Sequence, residues 1–396
     1  MPNYTTVVIG GGAAGICAAI SSARRGETVV LCEKTTQLGK KILASGNGRC
    51  NLLNEDLNEN YYNTAARALV RSVFSQYGKT QIISFFNELG LETYSKEGRI
   101  FPVTNQAESV LHVLEMELKR TSAAVKYNFD CSGISSSKNG LLVSSANGEK
   151  IECRKVILTG GGKTYPAFGA DGSAYEIAKK LGHTVIEPVP AVVPLVIKDN
   201  LCFLLQGQRI MATARPVIDG REGEWTGGEL LFTKYGLSGT CILDISEPIS
   251  TALNRQHQTQ VYVSLDLVPF MDKEKLKIEL ERRQKAGWTA DEMLTGILPA
   301  KLCSALRDLF GKNGLDKAVK VLKDYRFEAN GTRGWNEAEF TSGGINVNEV
   351  NTVTLESKLK PGVYLAGEIL DVNGRRGGYN LGWAWASGLA VGEARK

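Results

Sequence analysis

A glycine-rich turn close to the start of the chain places the strongest constraint on how it can fold. Residues 7–15 contain Gly10, Gly12 and Gly15 in a G-x-G-x-x-G arrangement that directly follows a short apolar strand. This spacing predicts a tight turn at Gly10, room for backbone N–H groups to approach a pyrophosphate at Gly12, and close packing of helix against strand at Gly15. Small residues at 16–25 then predict a helix whose positive N-terminal end faces the phosphates.

A second strand and an acidic residue complete this pattern. The strand is predicted at 28–31, and Glu33 lies 18 residues after Gly15. An acid at about this distance accepts hydrogen bonds from the ribose hydroxyls of a dinucleotide. The glycine motif alone is weak in a chain with 43 glycines, but the order strand, loop, helix, strand and acid is specific. The residues expected to contact the dinucleotide are Gly10, Gly12, Ala13, Ala14, Gly15, Glu33 and Lys34.

Length and composition are those of an ordinary globular chain. The 396 residues are 43% hydrophobic and 22% charged, without an apolar run long enough to span a membrane. The sequence enters a strand almost at once, so we expect no signal peptide. Eight cysteines are scattered without a C-x-x-C pair. We therefore expect reduced thiols and a cytoplasmic protein.

Scarce histidine argues against two kinds of catalytic site. The three histidines, His112, His183 and His257, do not have the spacing of metal ligands, and no cluster of Cys and His does. No serine lies in a G-x-S-x-G turn, which disfavours a hydrolase with a Ser-His-Asp triad. We therefore expect no metal. The net charge of +5 permits an acidic partner such as RNA without requiring one.

The two ends of the chain alternate predicted strands and helices. The middle of the chain is first strand-like and then helical in its apolar periodicity. Residues 155–158 predict a buried parallel strand that ends in a glycine turn at 160–162. The next part is strand-like at 192–197, 207–218, 229–232, 240–245 and 260–266, with no long helix between these segments. Periodicity is helical over 273–325. We expect a nucleotide-binding domain of residues 1–190 and 349–396, a β-rich substrate domain of 191–268 and 327–348, and a helical domain of 269–326.

The C-terminal segment points to FAD as the dinucleotide. An apolar strand ends at Gly367 and Glu368, with Asp371 close behind. In large FAD proteins such a strand end contacts the ribityl or pyrophosphate region, and the following helix points its positive end at the flavin pyrimidine edge. We expect this strand to join the N-terminal sheet; an ordinary closure of the sheet without a ligand is the alternative. The predicted contacts are Gly367, Glu368, Asp371, Gly378, Tyr379, Asn380 and Leu381.

A polar loop after the second strand is a further candidate for flavin contact. Residues 40–51 combine glycines, which allow close backbone approach, with asparagine and arginine side chains that donate hydrogen bonds. A loop at this place lies near the carboxyl ends of the strands, where cofactors bind; a basic surface loop is the alternative. The expected contacts are Lys41, Ser45, Gly46, Asn47, Arg49, Cys50 and Asn51, together with Gly160 and Gly161 of the other glycine turn.

Several blocks of sequence resemble one family across nearly the whole chain. These blocks are residues 45–51, 98–104, 168–174 with Gly182 and His183, 231–239, 341–345, and 366–371 through 379–383. Together they resemble the BaiN/RdsA-like flavoproteins, the YhiN-like three-domain family. The resemblance implies an α/β fold with a discontinuous Rossmann-like FAD-binding domain, an inserted β-rich domain and a small helical domain.

One block departs from the family pattern. The family usually has histidine where this chain has Lys234, and proline where it has Thr240. A lysine is a poor proton shuttle at neutral pH unless it is buried. Any acid or base role that the resemblance implies for that histidine is therefore in doubt.

The resemblance implies redox chemistry on one of two kinds of substrate. Relatives are linked to reduction of activated C=C bonds, in a uridine of ribosomal RNA or in steroid-like enones, and others to oxidation of a small amino ketone. No second G-x-G-x-x-G is present, so an NAD(P)H donor would bind transiently. We expect an FAD-dependent reductase. The alternatives are an FAD-dependent amine oxidase with dioxygen as acceptor and a non-catalytic flavin-binding partner protein.

Reduction of a C=C bond also needs a proton donor and a substrate contact. The candidate proton donors are Cys50, Lys234, Tyr235 and Tyr379, although Cys50 equally fits a packed thiol. Arg375 and Arg376 follow the Gly-acid turn and are candidates for binding an anionic substrate or phosphates. A solvated charged loop is the alternative for these two arginines.

Overall fold

The computed structural model describes residues 4–311 and 314–394. The chain forms two compact units, one of Met1–Pro188 with Phe340–Lys396 and one of Val189–Glu339. Each unit has its own hydrophobic core. The finer division of the second unit into a β-rich and a helical domain stays a prediction.

A five-stranded parallel sheet lies at the centre of the first unit. Its spatial order is Val363–Leu365, Lys155–Leu158, Thr6–Ile9, Val29–Cys32 and Ala124–Lys126. The register pairs Val7 with Val156 on one side and with Val30 on the other. Four of the strands are fully buried, as expected for parallel strands covered on both faces. The predicted joining of a C-terminal strand to the N-terminal sheet is therefore confirmed.

Smaller sheets and seven α-helices surround this sheet within the described part of the first unit. One small sheet contains Leu53–Asn54, Arg99–Pro102 and Thr93–Lys96, a second contains Cys131–Ser137, Gly140–Ser145 and Lys150–Cys153, and a third pairs Val185–Ala191 with Phe340–Ile345. The helices are Ala13–Arg24, Lys40–Ala44, Arg67–Phe74, Lys79–Glu88, Ala107–Arg120, Ser173–Lys180 and Tyr379–Glu393.

The first helix, Ala13–Arg24, packs closely against the last helix, Tyr379–Glu393. A Cβ at Gly388 would overlap the carbonyl oxygen of Ala14. The Ser22 hydroxyl donates to the Gly392 carbonyl oxygen at 3.3 Å. Small residues on both helices therefore allow the two ends of the chain to meet.

The second unit is built on an antiparallel sheet. Its strands, in spatial order, are Tyr325–Glu328, Val261–Asp266, Arg209–Ile218, Thr226–Thr233, Gly236–Ser238, Leu195–Val196 and Gly331–Thr332, with Arg221–Glu222 paired to Arg209–Ile218. The α-helices are Asn200–Leu204, Thr240–Ser250, Lys273–Lys285, Ala300–Leu306 and Leu315–Lys323.

The predicted strand at 240–245 is wrong, and so is the expectation that no long helix interrupts the strands. Thr240–Ser250 is an α-helix that starts after Gly239. Ile242, Ile245 and Ile249 are all buried on it. Their helical spacing becomes visible only over a window longer than six residues, while the isoleucines taken alone favour a strand.

Two features are absent from the described residues. Among residues 4–311 and 314–394, no helix combines the length and apolar character needed to cross a membrane. The same residues contain no group of three or more His, Cys, Asp or Glu side chains arranged to hold a metal ion.

Candidate functional site

The N-terminal glycine turn leaves open space at the start of the first helix. Gly10 has a φ of 103°, which favours glycine, and a Cβ there would lie 2.5 Å from the Thr159 carbonyl oxygen. A Cβ at Gly15 would overlap the Gly10 carbonyl oxygen. A Cβ at Gly12 would meet no atom within 4 Å. Helix and strand thus touch at Gly15, while the helix N-terminus at Gly12 has room beside it and no side-chain cap.

Glu33 lies beside this opening. Its carboxylate accepts hydrogen bonds from the backbone N–H of Gly11 at 2.8 Å and of Thr35 at 2.7 Å. The residue is buried, with 8% of its surface exposed. The acid that sequence spacing assigned to a ribose is therefore held at the carboxyl end of its strand, next to the glycine turn.

Lys34 ties the segment after this strand to the start of another helix. Its ammonium lies 2.7 Å from Asp171 and 3.5 Å from Asp130. Partial burial acts to raise the pKa of Asp171, but hydrogen bonds from Lys34 and Ser173 outweigh it and lower that pKa to about 2.

This pairing has a pH dependence that can be measured. Because the folded-state pKa of Asp171 lies below its unfolded value, the pair stabilises the fold above about pH 4 and loses this effect as the pH falls toward 2. Lys34→Met should move the Asp171 titration, followed by NMR, up toward the ordinary pKa of 3.8. Lys40→Met removes a positive charge elsewhere in the same unit and should leave the titration unchanged. Identical curves for the two variants would contradict the pairing.

Glu368 is the centre of a polar cluster at the end of the C-terminal strand. Its carboxylate lies 2.5 Å from the Lys41 ammonium and accepts a hydrogen bond from the Thr341 backbone N–H at 2.9 Å. Lys41 also donates to the Thr164 hydroxyl. Lys41 and Glu368 were predicted from the sequence as cofactor contacts, whereas the two threonines were not. Thr341 starts one of the family blocks, which was the only signal for it.

Gly367 brings this cluster to the first helix. It has a φ of 78°, and a Cβ there would lie 2.8 Å from the Cβ of Ala14. Its backbone N–H donates to the Ser387 hydroxyl at 3.0 Å, and its carbonyl accepts from the Trp383 indole at 3.2 Å. The end of the C-terminal strand therefore lies beside the first turn of the first helix.

The loop at 45–51 is anchored at the N-terminus of the last helix. The Asn51 side chain accepts a hydrogen bond from the Gly378 N–H at 3.1 Å and donates to the Leu53 carbonyl at 3.2 Å, in the amide orientation that satisfies both groups. Gly46 and Asn47 have φ angles of 57° and 56° and are exposed, as is Arg49. The loop thus presents accessible groups while Asn51 fixes its far end.

The last helix begins with an uncapped N-terminus. Gly378 precedes it with a φ of 100° and no side-chain cap. The Asn380 amide both donates to the Gly374 carbonyl and accepts from its N–H, each at 2.9 Å. The predicted contacts at 378–381 are therefore the N-cap and the first turn of a helix whose N-cap residue, Gly378, has no side chain to accept from the first-turn N–H groups.

Two buried polar atoms of this unit lack a hydrogen-bond partner among the described residues. They are the Tyr175 hydroxyl and the Asn373 side-chain oxygen. Burial raises the pKa of Tyr175, and the carboxylates of Glu368 and Asp371 raise it further. An unpaired buried polar atom costs about 1–3 kcal/mol, so such atoms are suited to a ligand. The open space at Gly12 fits the pyrophosphate of a dinucleotide, and these two atoms are candidates for hydrogen bonds to a ligand.

The candidate proton donors occupy different environments. Cys50 is fully buried, and burial raises the pKa of its thiol to about 12. Tyr379 begins the last helix and is 7% exposed. Lys234 and Tyr235 lie in the second unit, between Thr226–Thr233 and Gly236–Ser238; Lys234 is exposed, and the Arg333 guanidinium lies 4.6 Å from the Tyr235 ring.

The candidate substrate arginines lie just before the last helix. Arg375 is exposed, and its guanidinium lies 5.6 Å from the Tyr61 ring centre. Arg376 is half-buried. Tyr61 was not predicted from the sequence, because no motif includes it.

With this geometry in place, the chain can be compared with known proteins. It matches the family described as HI0933-like protein Rossmann domain over residues 4–394. The chain belongs to the HI0933-like family. It is 37% identical over 404 residues to the 3-dehydro-bile acid delta(4,6)-reductase of Clostridium scindens, with 98% of each chain covered. It is 29% identical over 405 residues to the ribosomal RNA dihydrouridine synthase of Escherichia coli, covering 99% of this chain and 98% of that one.

The fold has solved counterparts. The 3-ketosteroid-delta4-(5alpha)-dehydrogenase from Rhodococcus jostii superposes with a TM-score of 0.51 at 14% identity, covering 99% of this chain and 97% of that one. At this identity the likeness is one of fold. As a member of the HI0933-like family, the chain is a flavoprotein oxidoreductase with a Rossmann-like FAD-binding fold, which confirms the family and the fold class expected from the sequence.

Proposed function

We propose that the chain is an FAD-dependent reductase that uses NAD(P)H to reduce a C=C bond conjugated with a carbonyl group. One observation carries the cofactor half of this proposal. The open helix N-terminus at Gly12 and the strand end at Gly367 lie together in one unit, because a Cβ at Gly367 would touch Ala14. Residues from the two ends of the chain thus lie side by side at the proposed cofactor site.

The chain's own residues would hold FAD in a defined way. The backbone N–H groups that follow Gly12 would bind the pyrophosphate, and the Glu33 carboxylate would accept the ribose hydroxyls. The first turn of the last helix, with its positive dipole end, would stabilise negative charge on the pyrimidine edge. Bound FAD would supply two-electron redox chemistry.

The stoichiometry of the reaction shows that the site must deliver a hydride equivalent and a proton to the alkene. NAD(P)H, a proton and the alkene give NAD(P)⁺ and the saturated product, so the alkene gains one hydride equivalent and one proton. The sequence has no second G-x-G-x-x-G motif for a resident nicotinamide. NAD(P)H is therefore proposed to bind transiently.

A steroid-like enone is the first choice of substrate. The 37% identical relative is named as a bile acid reductase, and the identity extends over 98% of both chains. A uridine of ribosomal RNA is the second candidate, supported by the full-length relative named as a dihydrouridine synthase and by the net charge of +5. Both reactions saturate a C=C bond next to a carbonyl.

An anaerobic half-reaction experiment tests the proposed function. The purified protein with FAD bound is mixed with NADPH or NADH, and the flavin absorbance is followed; we expect bleaching. An enone steroid or a uridine-containing ribosomal RNA fragment is then added. The acceptor that restores the oxidised flavin spectrum faster identifies the class of substrate. RNA turnover should weaken steeply with salt, because phosphate contacts release counterions, whereas enone turnover should not.

Three outcomes would overturn the proposal. Bleaching by an amino ketone without NAD(P)H, with hydrogen peroxide formed in air, would show an amine oxidase. Failure of both nicotinamides to bleach the flavin would favour a non-catalytic flavin-binding protein. Reoxidation by neither acceptor would exclude the proposed substrate class.

A further inference from the structure

A line of three polar side chains ends at the first residue of the last helix. The Tyr379 ring packs on the Tyr61 ring with centroids 4.7 Å apart and planes tilted by 33°. The Tyr61 hydroxyl donates its hydrogen to the Asp56 carboxylate, and Tyr61 and Asp56 both act to raise the pKa of the Tyr379 phenol. Tyr379 is almost buried, whereas Asp56 is exposed. The line therefore connects an enclosed phenol to solvent.

An asparagine side chain and a backbone hydrogen bond hold the Asp56 and Tyr61 end of this line in place. Asn58 donates its side-chain amide to Asp56 at 2.7 Å and caps the short turn Glu59–Tyr61. The Tyr61 carbonyl accepts from the Arg375 backbone N–H at 3.0 Å.

The Tyr379 end of the line is held in place by Tyr62. The Tyr62 hydroxyl donates to the Tyr379 carbonyl at 2.6 Å, and the Tyr62 ring is buried against that of Tyr379 with centroids 6.2 Å apart. The positions of both phenols are thus set by neighbours on segments more than 300 residues apart in sequence.

Two positive groups lie beside the two phenols. Tyr379 is the first residue of a helix whose N-cap residue has no side-chain cap, where the helix dipole stabilises negative charge. Asp56 raises the pKa of Tyr61 and burial raises the pKa of Tyr379, whereas the Arg375 guanidinium, 5.6 Å from the Tyr61 ring centre, acts to lower both. The phenols therefore keep their protons at rest, and Arg375 and the helix end would stabilise a phenolate for the moment after a proton leaves.

We propose that Tyr379 is the acid that protonates the substrate alkene, and that Tyr61 and Asp56 return a proton to it from solvent; this rests on the proposed reduction. The O–H bond of Tyr379 breaks, and its proton forms the C–H bond at the carbon next to the carbonyl. The other new C–H bond takes the hydride equivalent, whose electron pair comes from NAD(P)H. The Tyr379 phenolate then takes the proton of Tyr61, and Tyr61 is reprotonated by water beside Asp56.

Burial raises the pKa of Tyr379 to about 12, so the phenol carries its proton at neutral pH and is ready to donate it. The ionisable groups around it are Tyr61, Tyr62, Asp56 and Arg375. Tyr379 is the catalytic residue of this scheme, and Tyr61 and Asp56 are positioning residues that act through it.

The kinetic test separates the two half-reactions in Tyr379→Phe. The rate of flavin reoxidation by the enone should fall about 100-fold or more, the usual contribution of a general acid, and at least tenfold more than the rate of flavin reduction by NAD(P)H. In Tyr61→Phe, the rate of flavin reoxidation should fall less than in Tyr379→Phe and should lose part of its dependence on pH. Tyr94→Phe is the matched control: the Tyr94 hydroxyl donates to the Asn105 side-chain oxygen at 2.6 Å, Tyr94 belongs to neither the line nor the predicted site, and its loss should change neither rate.

A second readout does not depend on turnover. In the protein without FAD, labelled with ¹³C at the tyrosine ring, the Tyr379 resonance should titrate near pH 12, and Tyr61→Phe should lower that pKa because an acceptor that stabilises the protonated phenol is removed. A wild-type enzyme that reduces neither the enone nor the uridine-containing RNA would overturn the proposed function. An active wild type whose Tyr379→Phe variant reoxidises at the normal rate, or an unmoved titration in Tyr61→Phe, would overturn the proton relay.

Discussion

Gly12→Val is expected to give a folded protein that retains no FAD. Gly12 has ordinary extended backbone angles, with φ of −85° and ψ of −170°, and a Cβ there meets no protein atom within 4 Å. Valine therefore fits the chain itself, but its methyl groups occupy the space proposed for the pyrophosphate. We expect FAD binding to weaken by about 100-fold or more, which corresponds to about 3 kcal/mol. Absorbance of the purified protein and titration with FAD measure this loss.

Gly133→Val is the matched control. Gly133 belongs to the same unit, has no positive φ, and a Cβ there also meets nothing within 4 Å. This variant should keep its FAD. If Gly12→Val binds FAD like the wild type, or if it loses its fold as judged by circular dichroism, the placement of the pyrophosphate at this helix end is wrong.

Gly388→Ala should destabilise the fold, although alanine is usually the better helix residue by about 1 kcal/mol. A Cβ at Gly388 would overlap the carbonyl oxygen of Ala14 and would lie 2.9 Å from its Cα. The backbone of the first helix cannot move aside without disturbing the central sheet. We expect a loss of about 1–3 kcal/mol in the free energy of unfolding, the usual cost of overpacking, measured by urea denaturation.

Gly382→Ala on the same helix provides the comparison. A Cβ there would come closest to a terminal methyl group of Leu57, at 2.9 Å, and that side chain can rotate away. Its stability should stay equal or rise slightly. Equal stability of both variants would mean that the first and last helices do not pack as closely as the structure indicates.

The parallel sheet and both glycine turns could be predicted from the sequence because they depend on local rules. Buried parallel strands are continuous apolar runs, and a turn such as that at Gly10 requires positive φ. The helix Thr240–Ser250 was mistaken for a strand because the buried isoleucines favour strands and their helical spacing needs a longer window.

The polar clusters were harder to predict because they join distant segments. Lys41 and Glu368 are 327 residues apart, and the Tyr62 hydroxyl meets the Tyr379 carbonyl across 317 residues. No periodicity or motif links such pairs. Tyr61 could not have been found without the fold, because it packs on Tyr379 from the other end of the chain. Asp56 enters the line only through its hydrogen bond with Tyr61.

Titration of the FAD-free protein with FAD tests the central claim most directly. We claim that the beginning and the end of the chain together enclose one FAD. Calorimetry should then give one bound FAD per chain with a dissociation constant of about 1 μM or lower, and the reconstituted protein should be yellow. A protein that stays colourless and releases no heat on addition of FAD would contradict the claim.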